Sequence, residues 1–214
     1  MLTVGLDAVV VEKDLRAGGL GCPAAGCGAV LGPWGWARER VIRGLGRVHP
    51  RRARCRGCQG TQVLLPASVL LRRADAVTVI GAALLAKASG RGHRPIAAEL
   101  GVPESTVRDW LHRIVTVTAR VLAVLAAAAA GLGTAFTAPA VTAGSAGPVG
   151  LVVEFVGVLA ASVARELGGS CSPSAPWRLA AVVTAGRLLA PAGPDLPVGG
   201  AWGGNTSSLW AAAR

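Results

Sequence analysis

Four cysteines in two closely spaced pairs constrain this chain more than any other feature. Four residues separate Cys22 from Cys27, two separate Cys55 from Cys58, and 27 residues lie between the pairs. Zinc is held tetrahedrally by four thiolate or imidazole ligands, and a tight turn can direct two ligands at one ion. Glycines beside the cysteines permit such turns. The pattern therefore predicts two knuckles that share one structural zinc ion.

Two alternatives to a four-cysteine zinc site remain open. The gap between the pairs is longer than in common zinc motifs, so the cysteines could instead be buried, unmetallated residues of a small hairpin domain. His49 precedes the second pair and could replace one ligand. The amino terminus lacks the basic start and apolar run of a secretory signal, so we expect a cytoplasmic protein, in which paired cysteines favour metal over disulfides. The fifth cysteine, Cys171, belongs to neither pair.

The segment 94–113 has the pattern of a helix-turn-helix. Pro95 suits the opening turn of a first helix, Gly101 lies where the chain must reverse, and Pro103 suits the start of a second helix because its missing amide hydrogen would be unpaired there. Val107, Leu111 and Ile114 recur at helical spacing and are predicted to face inward, with Trp110 at the edge. The alternative is an amphipathic helical hairpin in a larger bundle.

The predicted outer face of the second helix carries the candidate DNA contacts. Arg108 is expected to reach a base edge, because a guanidinium can pair with both major-groove acceptors of guanine. Hydroxyls in the first helical turn commonly contact phosphate, and arginines at the flanks act as backbone clamps. The full set of candidate DNA-binding residues is Arg91, Arg94, Ser105, Thr106, Arg108, Asp109, His112 and Arg113.

The charge distribution agrees with a nucleic-acid partner. The chain has a formal net charge of +11, and residues 38–120 alone hold 16 Lys and Arg against 5 Asp and Glu. Such an excess attracts a polyanion, either nucleic acid or an anionic membrane surface, although a solvated basic face is the simpler alternative. Because the excess coincides with the motif, we predict duplex DNA as the partner.

Composition divides the chain into four parts. Residues 1–66 contain short strand-like runs, beginning with Val9 to Val11, and form the predicted zinc-ribbon-like module. Residues 67–120 form the helix-turn-helix domain, preceded by a helix that starts at a capping Asp75 and buries Val77, Ile80, Leu84 and Leu85 on one face. Residues 121–190 are an Ala-rich helical region, and residues 191–214 a weakly ordered tail. The predicted fold class is α+β.

The order of two cysteine knuckles, a basic strand and a homeodomain-like helix-turn-helix resembles the amino-terminal region of transposases. The stretches 22–58 and 96–111 also resemble helix-turn-helix proteins of unknown function from actinobacteria. The resemblance implies that the four cysteines are metal ligands and that Ser105, Thr106 and Arg108 contact DNA. Transposases continue into a nuclease domain with three spaced carboxylates, whereas beyond residue 115 this chain has only Glu154, Glu166 and Asp195.

We therefore expect a non-enzymatic, sequence-specific DNA-binding protein associated with the nucleoid. The alternatives are a transposase remnant that acts with a partner nuclease and a membrane-tethered regulator. Residues 121–153 carry no charge and are long enough to cross a bilayer, but glycines and prolines interrupt them. We instead expect two helices, one reaching about Ala130 and one from about Gly150 to Leu167, that pack together or against a second subunit in a homodimer.

Overall fold

The computed structural model describes residues 1–131, 147–166, 168 and 172–190, and it confirms an α+β fold. The strands are β1 (Leu2–Val4), β2 (Leu31–Trp36), β3 (Arg40–Ile42), β4 (Gly46–Val48), β5 (Arg51–Cys55) and β6 (Thr61–Pro66). The helices are α1 (Ala8–Ala17), α2 (Val77–Ala88), α3 (His93–Leu100), α4 (Glu104–Gly131), α5 (Gly147–Glu166) and α6 (Ala175–Val183). Strands thus dominate residues 1–66, here called the cysteine module. Helices dominate the described residues between 67 and 190, here called the helical unit.

A four-stranded sheet in the order β1-β6-β5-β2 forms the cysteine module. The strand β1 pairs in parallel with β6, while β5 pairs antiparallel with both β2 and β6. The inner face of the sheet buries Leu31, Ala53 and Leu64 against α1. The strands β3 and β4 form a separate hairpin, which contacts the start of α2 through an ion pair between Arg43 and Asp75 at 3.0 Å.

The prediction of a strand at Val9 to Val11 is wrong, because these residues lie in α1. The Asp7 carboxylate caps the helix by accepting hydrogen bonds from the amides of Val9 and Val10, at 2.8 and 3.2 Å. Gly18 ends the helix in a left-handed conformation with φ 75°. The β-branched residues suggest a strand, but the two caps fix a helix whose inner side buries Val11 and Leu15.

The helical unit has one continuous apolar core that runs from Ala67 to Leu189 and crosses the boundary placed near residue 120. At its centre Gly81 of α2 lies directly against Trp177 of α6: a Cβ at position 81 would lie 2.4 Å from the indole. Trp110, expected at the edge of the second helix, is instead 1% exposed within this core. The core that contains Trp110 also includes side chains of α2, α3, α5 and α6.

The first helix of the unit differs from its prediction at two residues. Asp75 does not cap α2, since the helix is preceded by Ala76 and has no side-chain cap; the Asp75 carboxylate binds Arg43 instead. Leu85 is 47% exposed, whereas Val77, Ile80 and Leu84 are fully buried as predicted. Leu85 therefore lies outside the predicted apolar face.

The two helices expected after the helix-turn-helix are present and pack against each other. Among the described residues, α4 and α5 are both long and apolar enough to cross a membrane, with mean hydropathy of 2.0 and 1.9. In the most apolar 18-residue segment of each helix, 50% is buried within the protein in α5 and 39% in α4. The predicted weakly ordered tail, residues 191–214, and Cys171 lie outside the described residues.

Candidate metal centre and nucleic-acid interface

The four cysteines of the two pairs converge on one point. The sulfurs of Cys22 and Cys58 are 3.7 Å apart, those of Cys27 and Cys55 are 3.5 Å apart, and all four Sγ atoms lie within 4.8 Å of one another. Four sulfurs placed about 2.3 Å from a central zinc ion would be separated by about 3.8 Å. The arrangement therefore fits a metal ion held by four thiolates. His49 instead packs against the ring of Trp36, with centroids 5.0 Å apart.

Backbone turns of both knuckles bring the sulfurs together. The Cys22 amide donates to the Ala29 carbonyl oxygen at 2.8 Å, closing the first knuckle, and the Cys55 amide donates to the Gly60 carbonyl oxygen at 2.9 Å, closing the second. The knuckles meet at Gly57, where a Cβ would lie 2.8 Å from the Ala29 side chain and 3.5 Å from the Cys27 sulfur. Glycine is thus required there because the two knuckles touch.

The sulfur cluster favours a thiolate at Cys55. Burial raises the pKa of the Cys55 thiol, but hydrogen bonds from the Gly57 and Cys58 amides and from the Cys27 and Cys22 thiols outweigh it and lower this pKa to about 6. Burial raises the pKa of Cys22 to about 12, and the other three cysteines contribute to this increase. Thiolates are the metal-binding form of cysteine, and backbone amides that stabilise one of them favour metal binding.

The helix-turn-helix has the geometry that the sequence predicts. The helix α3 ends at Gly101, whose φ of 61° reverses the chain, and the Val102 amide donates to the Ala97 carbonyl oxygen at 3.1 Å. Val102 is buried and closes the turn. The Pro103 carbonyl oxygen then accepts from Thr106 and Val107, which starts α4. Because Ile96, Val107 and Ile114 are all 1% exposed or less, α4 is held rigidly against α3 and α2.

The outer face of α4 presents polar side chains at its amino-terminal end. Ser105, Arg108 and His112 are exposed, and Thr106 is partly exposed. Within the described part of the chain, no carboxylate forms an ion pair with Arg108. Arg108 is therefore available to an external anion or base.

The remaining candidate DNA contacts also take part in ion pairs within the protein. Arg91 pairs with Glu99, and Arg94 lies 3.5 Å from Glu104 at the start of α4. The Asp109 carboxylate accepts two hydrogen bonds of 2.8 Å from Arg113 Nε. These pairs fix the positions of the flanking arginines, and their DNA contacts stay a prediction.

Sequence reasoning missed Arg73, which contacts α4 at Asp109. Its guanidinium donates to Asp109 at 3.2 Å and to the Leu189 carbonyl oxygen at 3.3 Å, so it joins α4 to the chain that follows α6. Hydrogen bonds from Arg113 lower the pKa of Asp109, and the charges of Arg113 and Arg73 add to this effect against the opposing influence of burial. Nothing local to Arg73 signals this role, because its partners lie 36 and 116 residues away.

Comparison with known proteins identifies the central part of this arrangement. Residues 71–116 match the family of homeodomain-like domains, a helix-turn-helix found in transposase-like proteins. The match covers α2, α3 and the first half of α4, which are the three helices of the motif. No curated protein and no solved structure matches the chain. A homeodomain-like domain indicates DNA binding, and the clustered cysteines indicate a metal site.

Proposed function

We propose that this protein binds duplex DNA sequence-specifically by inserting the amino-terminal end of α4 into the major groove. The proposal rests mainly on one observation: Arg108 is exposed and without an ionic partner in the described part of the chain, on a helix whose opposite face is buried. Homeodomain-like helices read DNA from this position. Ser105, Thr106 and His112 would contact the backbone or flanking bases, and Arg91, Arg94 and Arg113 would contact phosphates.

The proposed metal is zinc in a structural role. Four thiolates fill a tetrahedral shell and leave no coordination position for a substrate, so such an ion stabilises a fold rather than catalysing a reaction. The protein would act without a catalytic step of its own, in the cytoplasm at the nucleoid. It would serve as a transcriptional regulator or as a DNA-binding protein derived from a transposase.

The test is selection of bound fragments from random duplex DNA, followed by affinity measurements on the selected site. We expect Arg108→Ala to weaken binding to that site by roughly 5- to 150-fold, because a bidentate contact with guanine contributes about 1–3 kcal/mol of discrimination. Binding to unrelated duplexes should change little. The matched control is Arg165→Ala, which removes an exposed arginine from the last turn of α5 and should leave both affinities unchanged.

Two outcomes would contradict this function. Failure to enrich any sequence would remove the claim of specificity, and an equal loss on all duplexes in Arg108→Ala would make Arg108 a phosphate contact. The symmetry of the selected DNA sequence also distinguishes two roles. A palindrome would indicate a dimeric regulator, whereas terminal inverted repeats would indicate a role in a mobile element.

A membrane-tethered regulator is the second candidate because α4 and α5 have the length and hydropathy of membrane spans. In that case α4 would have to leave the core formed with α2 and α6. Fractionation of cells separates the two candidates. Recovery in a membrane pellet after a high-salt wash would support the tethered form, and recovery in the supernatant would support a DNA-binding protein without an anchor.

A further inference from the structure

A groove on the outer face of the sheet combines an exposed indole with two arginines. The groove, here called the Trp34 groove, lies between β2 and the second knuckle, and its lining includes Gly32, Trp34, Arg54, Arg56 and Gln59. Its outer position follows from strand alternation: Ala53 and Cys55 face the buried core, so Arg54 between them faces outward. The proposed DNA contacts on α4 belong to a different part of the fold.

An irregularity in the strand pairing places Trp34 in this groove. Pro33 pairs with Ala53 and Gly35 pairs with Arg52, so Trp34 is an extra residue that bulges from β2. The Arg54 guanidinium lies 4.5 Å from the centroid of the indole, which is 52% exposed. The Arg54 Nε also donates to the Gln59 carbonyl oxygen of the second knuckle at 3.4 Å, which holds the arginine in position.

Gly32 has no side chain, which leaves space for Arg56 at the base of the groove. The Arg56 side chain lies over this position, with its Nε 3.4 Å from where a Cβ would stand. Within the described residues, neither Arg54 nor Arg56 forms an ion pair with a carboxylate, whereas Arg43, Arg47 and Arg51 each do. The groove therefore has two cationic groups without a carboxylate partner, beside an indole that lies against Arg54 and is 52% exposed.

The surrounding charge favours a negatively charged ligand. Residues 31–66 contain eight arginines and one acidic residue, Glu39, and the Glu39 carboxylate pairs with Arg47. An apolar partner would not require this charge, and a simple phosphate would not require the indole. A ligand with both a flat aromatic part and adjacent negative charges matches the two features together. Unpaired nucleotides have this chemistry, since bases stack on aromatic side chains while arginines bind the phosphates.

We propose that the Trp34 groove binds an unpaired base and its flanking phosphates in a single-stranded nucleic acid. The contact is independent of the helix-turn-helix. In a duplex the base faces are stacked on one another and are not accessible to Trp34, so the groove selects strands that are open.

Trp36 provides a matched control on the same strand. It pairs with Arg51, two residues before the buried Ala53, and therefore lies toward the α1 side of the sheet. The Arg51 guanidinium, 4.9 Å from the Trp36 ring centroid, is neutralised by Glu12 at 2.8 Å. Trp36 is 56% exposed, so its exposure resembles that of Trp34 while its electrostatic surroundings differ.

The test measures binding of the full chain to a fluorescently labelled oligothymidylate and to an abasic oligonucleotide of equal length. We expect Trp34→Ala to weaken binding to oligothymidylate roughly tenfold, because stacking of one base on an aromatic side chain contributes about 1–3 kcal/mol. Trp34→Phe should retain most of the affinity, and Trp36→Ala should remain close to the unmutated chain. Binding to the abasic strand should be weaker and should not respond to Trp34→Ala.

Several outcomes would overturn this proposal. Equal binding of the two strands by the unmutated chain, or equal losses in Trp34→Ala and Trp36→Ala, would reduce the groove to a general basic surface. A loss on the selected duplex but not on oligothymidylate would assign the groove to the duplex interface. Oligouridylate, measured in parallel, shows whether DNA or RNA is preferred, and stacking of either on Trp34 supports the proposal.

The same variants separate this proposal from the proposed function. Arg108→Ala should lose specific duplex binding and retain oligothymidylate binding, while Trp34→Ala should do the reverse. Because Trp34 is half exposed and bulges from the strand, we expect its replacement to leave the fold intact. Circular dichroism and the melting temperature of each variant check this expectation.

Discussion

The cysteine module and the helical unit bury very different amounts of apolar side chain. In the described part of the chain, the core between the sheet and α1 consists of eight buried residues, one of which is Cys55. The core of the helical unit consists of 33. Small modules with little apolar core are usually stabilised by metal ions or disulfides. The comparison supports the proposal that a metal ion stabilises the first region, whereas side-chain packing stabilises the second.

Metal removal is the strongest test of this difference. Structural zinc contributes on the order of 10 kcal/mol to the folding of small modules. We therefore expect chelation, or Cys55→Ser, to unfold residues 1–66 while α2 to α6 remain helical. Far-ultraviolet circular dichroism measures the loss of secondary structure, and elemental analysis measures the bound metal. Cys171→Ser is the control, because Cys171 belongs to neither of the two cysteine pairs in the sequence, and it should retain the metal. Unchanged structure after complete chelation would show that the ion is dispensable.

A pair of glycine substitutions tests whether packing stabilises the helical unit. A methyl group at Gly81 would meet the Trp177 indole at 2.4 Å, so Gly81→Ala should destabilise the unit by about 1–3 kcal/mol through overpacking. Gly157 of α5 has no neighbour within 4 Å of the corresponding position. Gly157→Ala should therefore stabilise the unit by about 0.5–1 kcal/mol, the usual gain of alanine in a helix. Urea unfolding measures the change in the free energy of unfolding of both variants. A higher stability in both would contradict close packing at Gly81.

A smaller effect concerns Asp109 at the surface of the helical unit. Its pKa in the folded protein lies below the ordinary value of 3.8, so its contribution to stability is present above pH 3.8 and is lost as the pH falls through the lowered pKa. Asp109→Asn should cost less than about 1 kcal/mol at neutral pH, because the carboxylate is 40% exposed. The free energies of unfolding of this variant and of the unmutated chain should become equal in acid. A constant difference at all pH values would exclude this ionic contribution.

The sequence predicts those parts of the structure that depend on neighbouring residues. A few neighbouring residues are enough to specify the turn at Gly101 and the buried positions Val107 and Ile114. The same holds for the two cysteine knuckles. The α1 helix shows the limit of such reasoning, since three consecutive valines suggested a strand. The capping residues Asp7 and Gly18 are also local signals, and they indicate the helix correctly.

Other features depend on contacts between residues that are far apart in the chain. The parallel pairing of β1 with β6 joins residues about 60 positions apart, and Asp75 binds Arg43 rather than capping α2. Trp110 is buried in a core that also includes side chains of α5 and α6, which follow it much later in the chain. None of these pairings leaves a periodic pattern in the sequence, because each depends on how the elements pack.

The sequence by itself determined the two knuckles, the helix-turn-helix and the concentration of positive charge, because spacing and residue type are sufficient to specify short turns and helices. Only the tertiary structure decided that the four sulfurs meet within 4.8 Å, that Arg73 joins α4 to the end of the helical unit, and that Trp34 bulges beside Arg54. The physical reason is that a turn is stabilised by its own residues, whereas a cluster or groove requires distant segments to be held together by a shared core.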